Sequence, residues 1–262
     1  MSTIQTTKVE EKTINVPCDF FFEGDLSQGF ATIPREKKLK LKINGVELVN
    51  ILCTPIKLEF LVIGYLYLEG FISGLDDLKK MVWSYDKNEV DVEILGANSL
   101  SPKGRTVPVG LGGGAIFEKE IKKVDSDICF FADELVEAIK NFTGYVEERR
   151  QASGIHTSAL ARSKDLVFVA DDIGRHNTLD KLAGEALKSN VRIEEMILIT
   201  TGRVSSEMIL KGAKLGVPLV VSRRSPTEGA VDHAKNLGIT LIGHAKKNGF
   251  SIFSNPERIK FR

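Results

Sequence analysis

The sequence has 262 residues, 42% of them hydrophobic, enough apolar material for one large domain or two modest ones. Its 36 Lys+Arg against 35 Asp+Glu leave a net charge of +1, which argues against duplex nucleic acid as a partner. Three widely spaced cysteines, Cys18, Cys53 and Cys129, argue against a disulfide framework and for a reducing compartment. The first residues, with Lys8, Glu10, Glu11 and Lys12, give no apolar run for a signal peptide. The longest apolar stretch, 58–72, is broken by Glu59 and Glu69. The expectation is a cytoplasmic protein without a membrane partner.

Along the chain, Leu39, Leu41 and Ile43 alternate with lysines, and Asn44-Gly45 precedes Val46 and Leu48, which predicts a hairpin. Pro55 is expected to open an amphipathic helix with Leu58, Leu61, Val62, Tyr65 and Leu68 on one stripe. A strand pair is predicted at 81–85 and 90–95. Residues 96–115 are rich in Gly and Pro and read as a flexible loop between two halves. This divides the chain into an α+β N-terminal domain, 1–115, and an α/β domain, 116–262. In the second, a helix over 133–142 precedes alternating strands (166–170, 196–200, 219–222) and helices (178–188, 206–215, 226–237). Strands at 240–243 and 251–253 follow. Such alternation predicts a mostly parallel sheet with helices on both faces. Cys53, among Ile51, Leu52 and Pro55, and Cys129, before Phe130 and Phe131, are both expected to be packed, whereas Cys18 could be exposed.

Each of the three strands runs into a turn that carries arginine. The first, Asp171 to Asn177, contains Arg175 and His176, with Asn177 as the expected helix cap and Asp180 at the capping-box position. The second, Thr201 to Glu207, contains Arg203, with Ser205 as the expected cap and Ser206 opening the helix. The third contains Arg223 and Arg224, with Ser225 as cap, Pro226 first in the helix and Glu228 completing the box. At the C-terminal edge of an open sheet, guanidinium groups and helix N-termini suit a phosphate-bearing ligand. The plainer alternative is that the arginines pair with Asp171 and Asp172. His176 could act as acid and base with Asp171 or Asp172. His156, His176, His233 and His244 are far apart, without a Cys-x-x-Cys or a His-x-Glu, so no protein-bound catalytic metal is expected. Gly110 to Ala115 fits Gly-x-Gly-x-x-Ala, but Pro108 precedes it and no βαβ unit follows, so a loop is the better reading.

The segments SGIHTSAL (153–160), DDIGRHNTLDKL (171–182), TTGRVSSEM (200–208), SRRSPTEGAV (222–231) and GITLIGHAK (238–246) resemble the formate dehydrogenase accessory protein (FdhD) family. TPIKLEFLVIGYLYLEGFI (54–72) extends the resemblance into the first half. The resemblance implies a cytidine-deaminase-like α/β domain without its zinc, a smaller α+β domain, and a homodimer. It implies a role in which sulfur from a cysteine desulfurase reaches the bis(molybdopterin guanine dinucleotide) molybdenum cofactor before formate dehydrogenase receives it. The family's cofactor-binding stretch falls here on His244, Ala245, Lys246, Lys247, Asn248 and Gly249. With Arg175, His176, Arg203, Ser206, Arg223 and Ser225, these are the expected contacts to that cofactor or to a guanine nucleotide. The family's sulfur-carrying Cys-Gly-x-Cys-Gly loop falls on Leu111-Gly112-Gly113-Gly114-Ala115, with Leu111 and Gly114 in place of the cysteines. Neither side chain can hold sulfur. The sequence therefore leaves open a sulfurtransferase, a cofactor-binding escort that has lost sulfur transfer, and an unrelated nucleotide-processing enzyme built on His176.

Overall fold

The computed structural model describes residues 11–95, 105–107, 121–150 and 152–262. The first strands, β1 (Thr13–Phe22) and β2 (Asp25–Pro34), form a separate antiparallel ribbon. The predicted hairpin follows as β3 (Lys37–Ile43) and β4 (Val46–Cys53), joined by Asn44 and Gly45 at φ 49° and 81°, a conformation in which Gly carries no steric penalty. The predicted strand pair appears as β5 (Leu78–Ser84) and β6 (Glu89–Ile94), and β7 (Arg105–Val107) completes a sheet of order β5-β6-β3-β4-β7. One face of this sheet packs on α1 (Leu58–Leu68). The expectation for α1 needs two corrections. It starts at Leu58, after Lys57 in the left-handed region (φ 53°), rather than at Pro55. It is also buried on nearly all sides, because the second half of the chain covers the face that would otherwise meet water.

That second half holds β8 (Phe130–Phe131), α2 (Ala132–Glu148), β9 (His156–Arg162), β10 (Asp165–Asp172), α3 (Arg175–Ser189), β11 (Ile197–Thr200) and α4 (Ser206–Leu215). It continues through β12 (Leu219–Ser222), α5 (Glu228–Asn236), β13 (Thr240–Lys246), β14 (Gly249–Ser254) and β15 (Ile259–Lys260). The main sheet has the order β10-β9-β11-β12-β13-β14. Only β11–β12 and β12–β13 are parallel, so the mostly parallel sheet expected from the sequence is corrected to a mixed one. The cause is two tight hairpins, β9–β10 through Ser163-Lys164 and β13–β14 through Lys247-Asn248, which can only join antiparallel neighbours. β9 escaped the sequence reading because Thr157 to Ala161 are all buried, so no period of two survives.

Helices cover both faces, as expected. Ala159, Ala161, Ile197, Ile199, Leu219 and Val221 pack under Leu135, Ile139 and Phe142 of α2. Leu160, Leu198, Val220 and Leu241 point the other way, into a core with α3, α4 and α5. The boundary expected at residue 115 lies outside the described residues. What joins the halves is α1 against α3. A Cβ on Gly64 would lie 1.7 Å from the carbonyl oxygen of Asp180, and one on Gly184 would lie 2.1 Å from that of Phe60. Only glycine permits backbones this close. Gly64→Ala is therefore expected to cost at least about 3 kcal/mol, as overpacking with no room to relax. Gly144→Ala, in α2 with nothing within 4 Å of the new methyl, should gain about 1 kcal/mol of helix propensity. Urea unfolding of the two variants checks the contrast.

Candidate functional site

The three strand-to-helix turns share one device. Asp172 Oδ1 accepts from the Gly174 N–H (2.8 Å), Thr200 Oγ1 from that of Gly202 (3.1 Å), and Ser222 Oγ from that of Arg224 (2.9 Å). In each, the last side chain of the strand binds the backbone two residues on and fixes the turn locally. The turns are also laced together. The Ser222 hydroxyl donates to the Gly202 carbonyl (2.7 Å), and the Arg223 N–H donates to the Thr200 carbonyl (3.3 Å). Ser158 donates to Thr200 Oγ1 (2.9 Å) and lies 2.7 Å from Thr178 Oγ1. Because β9 runs antiparallel to β11, the start of β9 with His156 falls at this same edge.

Arg175, the first residue of α3, lies over Gly202, where a Cβ would meet Arg175 Cβ at 3.2 Å and His156 Nδ1 at 3.5 Å. The buried Nε of Arg175 has no hydrogen-bond partner among the described residues. Its guanidinium is held below the ordinary arginine range by burial and then by Arg203 nearby. Arg203, Arg223 and Arg224 are exposed. Among the described residues none of these four arginines has a carboxylate within ion-pair distance. The acids expected to pair with them are engaged by others: Asp171 accepts from Thr157 Oγ1 (2.7 Å) and Lys12 (2.8 Å), and Asp172 from Lys181 (2.6 Å).

His176 is buried, with Nε2 3.4 Å from Ser205 Oγ and 3.6 Å from Glu207 Oε2, and with Nδ1 unpartnered among the described residues. Burial, with Lys211 and Arg175 nearby, pushes its pKa down to about 3, so the ring is neutral at physiological pH. Neither Asp171 nor Asp172 is hydrogen-bonded to it, so the expected acid–base pair is not assembled. Behind His176, Lys211 Nζ lies 2.8 Å from Asp180, 3.1 Å from Glu69 and 3.9 Å from Glu207. Burial pushes the Asp180 carboxyl up to about 7 against the pull of Lys211. Burial also works against the charge of Lys211, but Asp180 and Glu69 more than offset it. Asp180 thus serves this cluster rather than a capping box. The cap expected at Asn177 is corrected too: Gly174 precedes the helix, and Asn177 Nδ2 bonds Asp172 Oδ1 (2.8 Å) inside its first turn.

One strand over, Ser225 Oγ meets His244 Nε2 at 2.8 Å, while Thr227, not Ser225, caps α5 by accepting from the Ala230 N–H (3.3 Å). The Ser206 hydroxyl is turned toward α5, where a Cβ on Gly229 would come within 2.5 Å of it. The stretch after His244 diverges. Ala245 is buried beneath α2, Lys246 pairs with Gly249 across the hairpin, and Lys247 Nζ reaches Glu147 (2.9 Å), with Asn248 exposed in the turn. The structure therefore gathers Arg175, His176, Arg203, Arg223, Ser225 and His244 at one edge. His156 joins them unforeseen, since placing it required β9, and Gly202 and Glu207 of the second turn lie against Arg175 and His176 there. Leu111 and Gly114 lie outside the described residues. Cys53 is buried as expected, Cys18 is half-buried on β1, and Cys129 is exposed, because Phe130 takes the inward position beside it.

Residues 34–260 match the FdhD/NarQ family. The chain belongs to the FdhD/NarQ family. It is 32% identical over 252 residues to the sulfur carrier protein FdhD of Bacillus subtilis (strain 168), covering 91% of this chain and 94% of that one. The sulfur carrier protein FdhD of Geobacillus kaustophilus (strain HTA426) is 35% identical, covering 87% and 89%. That of Staphylococcus aureus (strain MRSA252) is 33% identical, covering 95% and 97%. A crystal structure assigned as a formate dehydrogenase accessory protein from Desulfotalea psychrophila superposes with a TM-score of 0.79 at 22% identity, covering 95% of this chain and all of that one, so the two share a fold.

The buried imidazole gives this family member a defined acid response. His176 takes up its proton at about pH 3 when folded and near 6.5 when unfolded, so the unfolded chain binds the proton first as pH falls. The stability it supplies is complete above pH 6.5 and drains as pH falls toward 3. NMR should show its ring neutral at pH 5, and His176→Asn should flatten the loss of stability between pH 6.5 and 4. A ring that titrates near 6.5 would contradict its burial.

Proposed function

We propose that this chain is an accessory protein of formate dehydrogenase maturation that holds the bis(molybdopterin guanine dinucleotide) molybdenum cofactor as cargo, through its phosphates, at the arginine edge. The observation that carries this reading is the buried Nε of Arg175 beside Arg203, the first without a hydrogen-bond partner and both without an ion-paired carboxylate among the described residues. Such a pair is stabilised by an incoming anion, and guanidinium groups bind phosphate oxygens in forked geometry. The side-chain-fixed turns keep the donors in place before the ligand arrives, which lowers the ordering cost of binding. The relatives' name, sulfur carrier protein FdhD, supports the process. Cysteine desulfurase and formate dehydrogenase are the partners this reading implies.

Within that process, the residues favour a chain that binds cargo without carrying sulfur on the glycine-rich loop. Leu111 and Gly114 replace the cysteines that the family resemblance places there, and buried Cys53 offers no accessible thiolate.

Calorimetry with guanosine diphosphate tests the edge. Arg203→Ala and Arg223→Ala should each weaken binding by about 10- to 100-fold, one charge-assisted hydrogen bond apiece, while melting temperature stays put. Unchanged affinity in both would remove the site. Incubation with a cysteine desulfurase and cysteine, followed by intact mass, tests the sulfur step: no reducible added sulfur is expected, and one sulfur mapped to a single cysteine would restore a carrier role.

A further inference from the structure

A carboxylate stands among the cations of the arginine edge, where a site for phosphate alone has no use for one. Glu207, in the first turn of α4, has a side chain 22% exposed. Its Oε2 lies 3.6 Å from His176 Nε2 and its Oε1 3.9 Å from Lys211 Nζ. Neither distance makes a hydrogen bond, and Oε1 is buried without one among the described residues. Burial pushes the Glu207 carboxyl pKa up, against the pull of Lys211 and of Arg175, whose charge is near enough to act on it. Three of the six buried side-chain polar atoms that lack a partner among the described residues, Arg175 Nε, His176 Nδ1 and Glu207 Oε1, therefore meet here.

An ionised phosphate satisfies a guanidinium but not a carboxylate, since both anions only accept hydrogen bonds. A ligand that answers both must carry N–H donors apart from its phosphates. A ring N–H beside an amino group gives a carboxylate two parallel hydrogen bonds, and a carbonyl on the far side of that N–H gives a guanidinium its acceptor. Carbonyl, N–H and amino group in that order form the pyrimidinone edge of guanine, and a pterin carries the same edge. Adenine does not: beside its amino group stands an unprotonated ring nitrogen, whose lone pair would face the carboxylate. We propose that Glu207 reads the N–H and amino group of a 2-amino-4-oxopyrimidine ring, guanine or pterin, selecting the cargo by its base where the arginines hold its phosphates. This inference rests on the cofactor-holding role proposed above and names a specificity residue for it.

Calorimetry on the full chain with GDP, IDP, ADP and 6-hydroxymethylpterin tests it. IDP keeps the ring N–H but lacks the amino group, so it should bind about 10-fold more weakly than GDP, and ADP about 100-fold more weakly. Glu207→Gln, close in shape but with a donor replacing one acceptor, should collapse that ranking by weakening GDP and leaving ADP unchanged. A loss confined to 6-hydroxymethylpterin would set the pterin rather than guanine against Glu207. The nucleotide ranking needs no variant, so it holds even where Glu207→Gln disturbs the cluster around Lys211. Equal binding of the three nucleotides with the pterin unaffected by Glu207→Gln, or a loss shared equally by GDP and ADP, would overturn the proposal. Inorganic pyrophosphate separates the two readings. If it binds, and Arg203→Ala weakens it, the arginine edge stands whatever the bases show; if it does not bind, that edge falls.

Discussion

The Asp172–Lys181 ion pair holds the molecule's two halves and its candidate site in one geometry. Both side chains are fully buried at 2.6 Å, and every capacity they have is used. Asp172 accepts from Lys181, the Thr54 and Gly174 N–H groups and Asn177; Lys181 also donates to the Thr54 and Asp171 carbonyls. Burying two charges is costly, and such a pair is tolerable only when its remaining donors and acceptors are satisfied. Thr54 directly follows β4 of the first half, and Asp172 ends β10 immediately before the turn bearing Arg175. One polar knot therefore fixes the joint between halves and the start of α3 together.

The same placement explains why the edge is so cationic. A sequence rich in both signs could have neutralised its arginines locally, and Asp171 and Asp172 stand only four and three residues from Arg175. Lysines from elsewhere claim both acids instead. Behind the edge, Lys211 faces Asp180, Glu69 and Glu207, so acidic charge is collected in the interior while guanidinium groups stay at the surface. The separation of sign, rather than net charge, makes the edge suited to an anion, and a balance of +1 for the whole chain gave no hint of it.

Much of this was readable from residue order where local rules apply. The Asn44-Gly45 hairpin, the α4 boundaries at Ser206 and Leu215, and strand β12 came from turn chemistry and periodicity that tertiary packing did not disturb. The three arginine turns were visible for the same reason. Where burial was complete, the pattern vanished: β9 has no polar face to mark its period, and α1 reads as amphipathic although the second half buries its far side. Partner choice was also beyond local rules. Asn177 and Asp180 look like capping residues in sequence, and only partners from other elements, Asp172 and the Leu52 carbonyl for Asn177 and Lys211 for Asp180, turn them inward.

The Gly64–Gly184 crossing has a mechanical consequence. Helices that meet through intervening side chains can slide as rotamers adjust, which is how shear motions between packed elements proceed. Here backbone rests on backbone, with the carbonyls of Phe60 and Asp180 seated in the spaces the glycines leave. No side chain stands between them to change rotamer, so the seam can part but cannot creep. The two halves should answer a ligand as a single rigid body, and any opening of the arginine edge must come from its own loops.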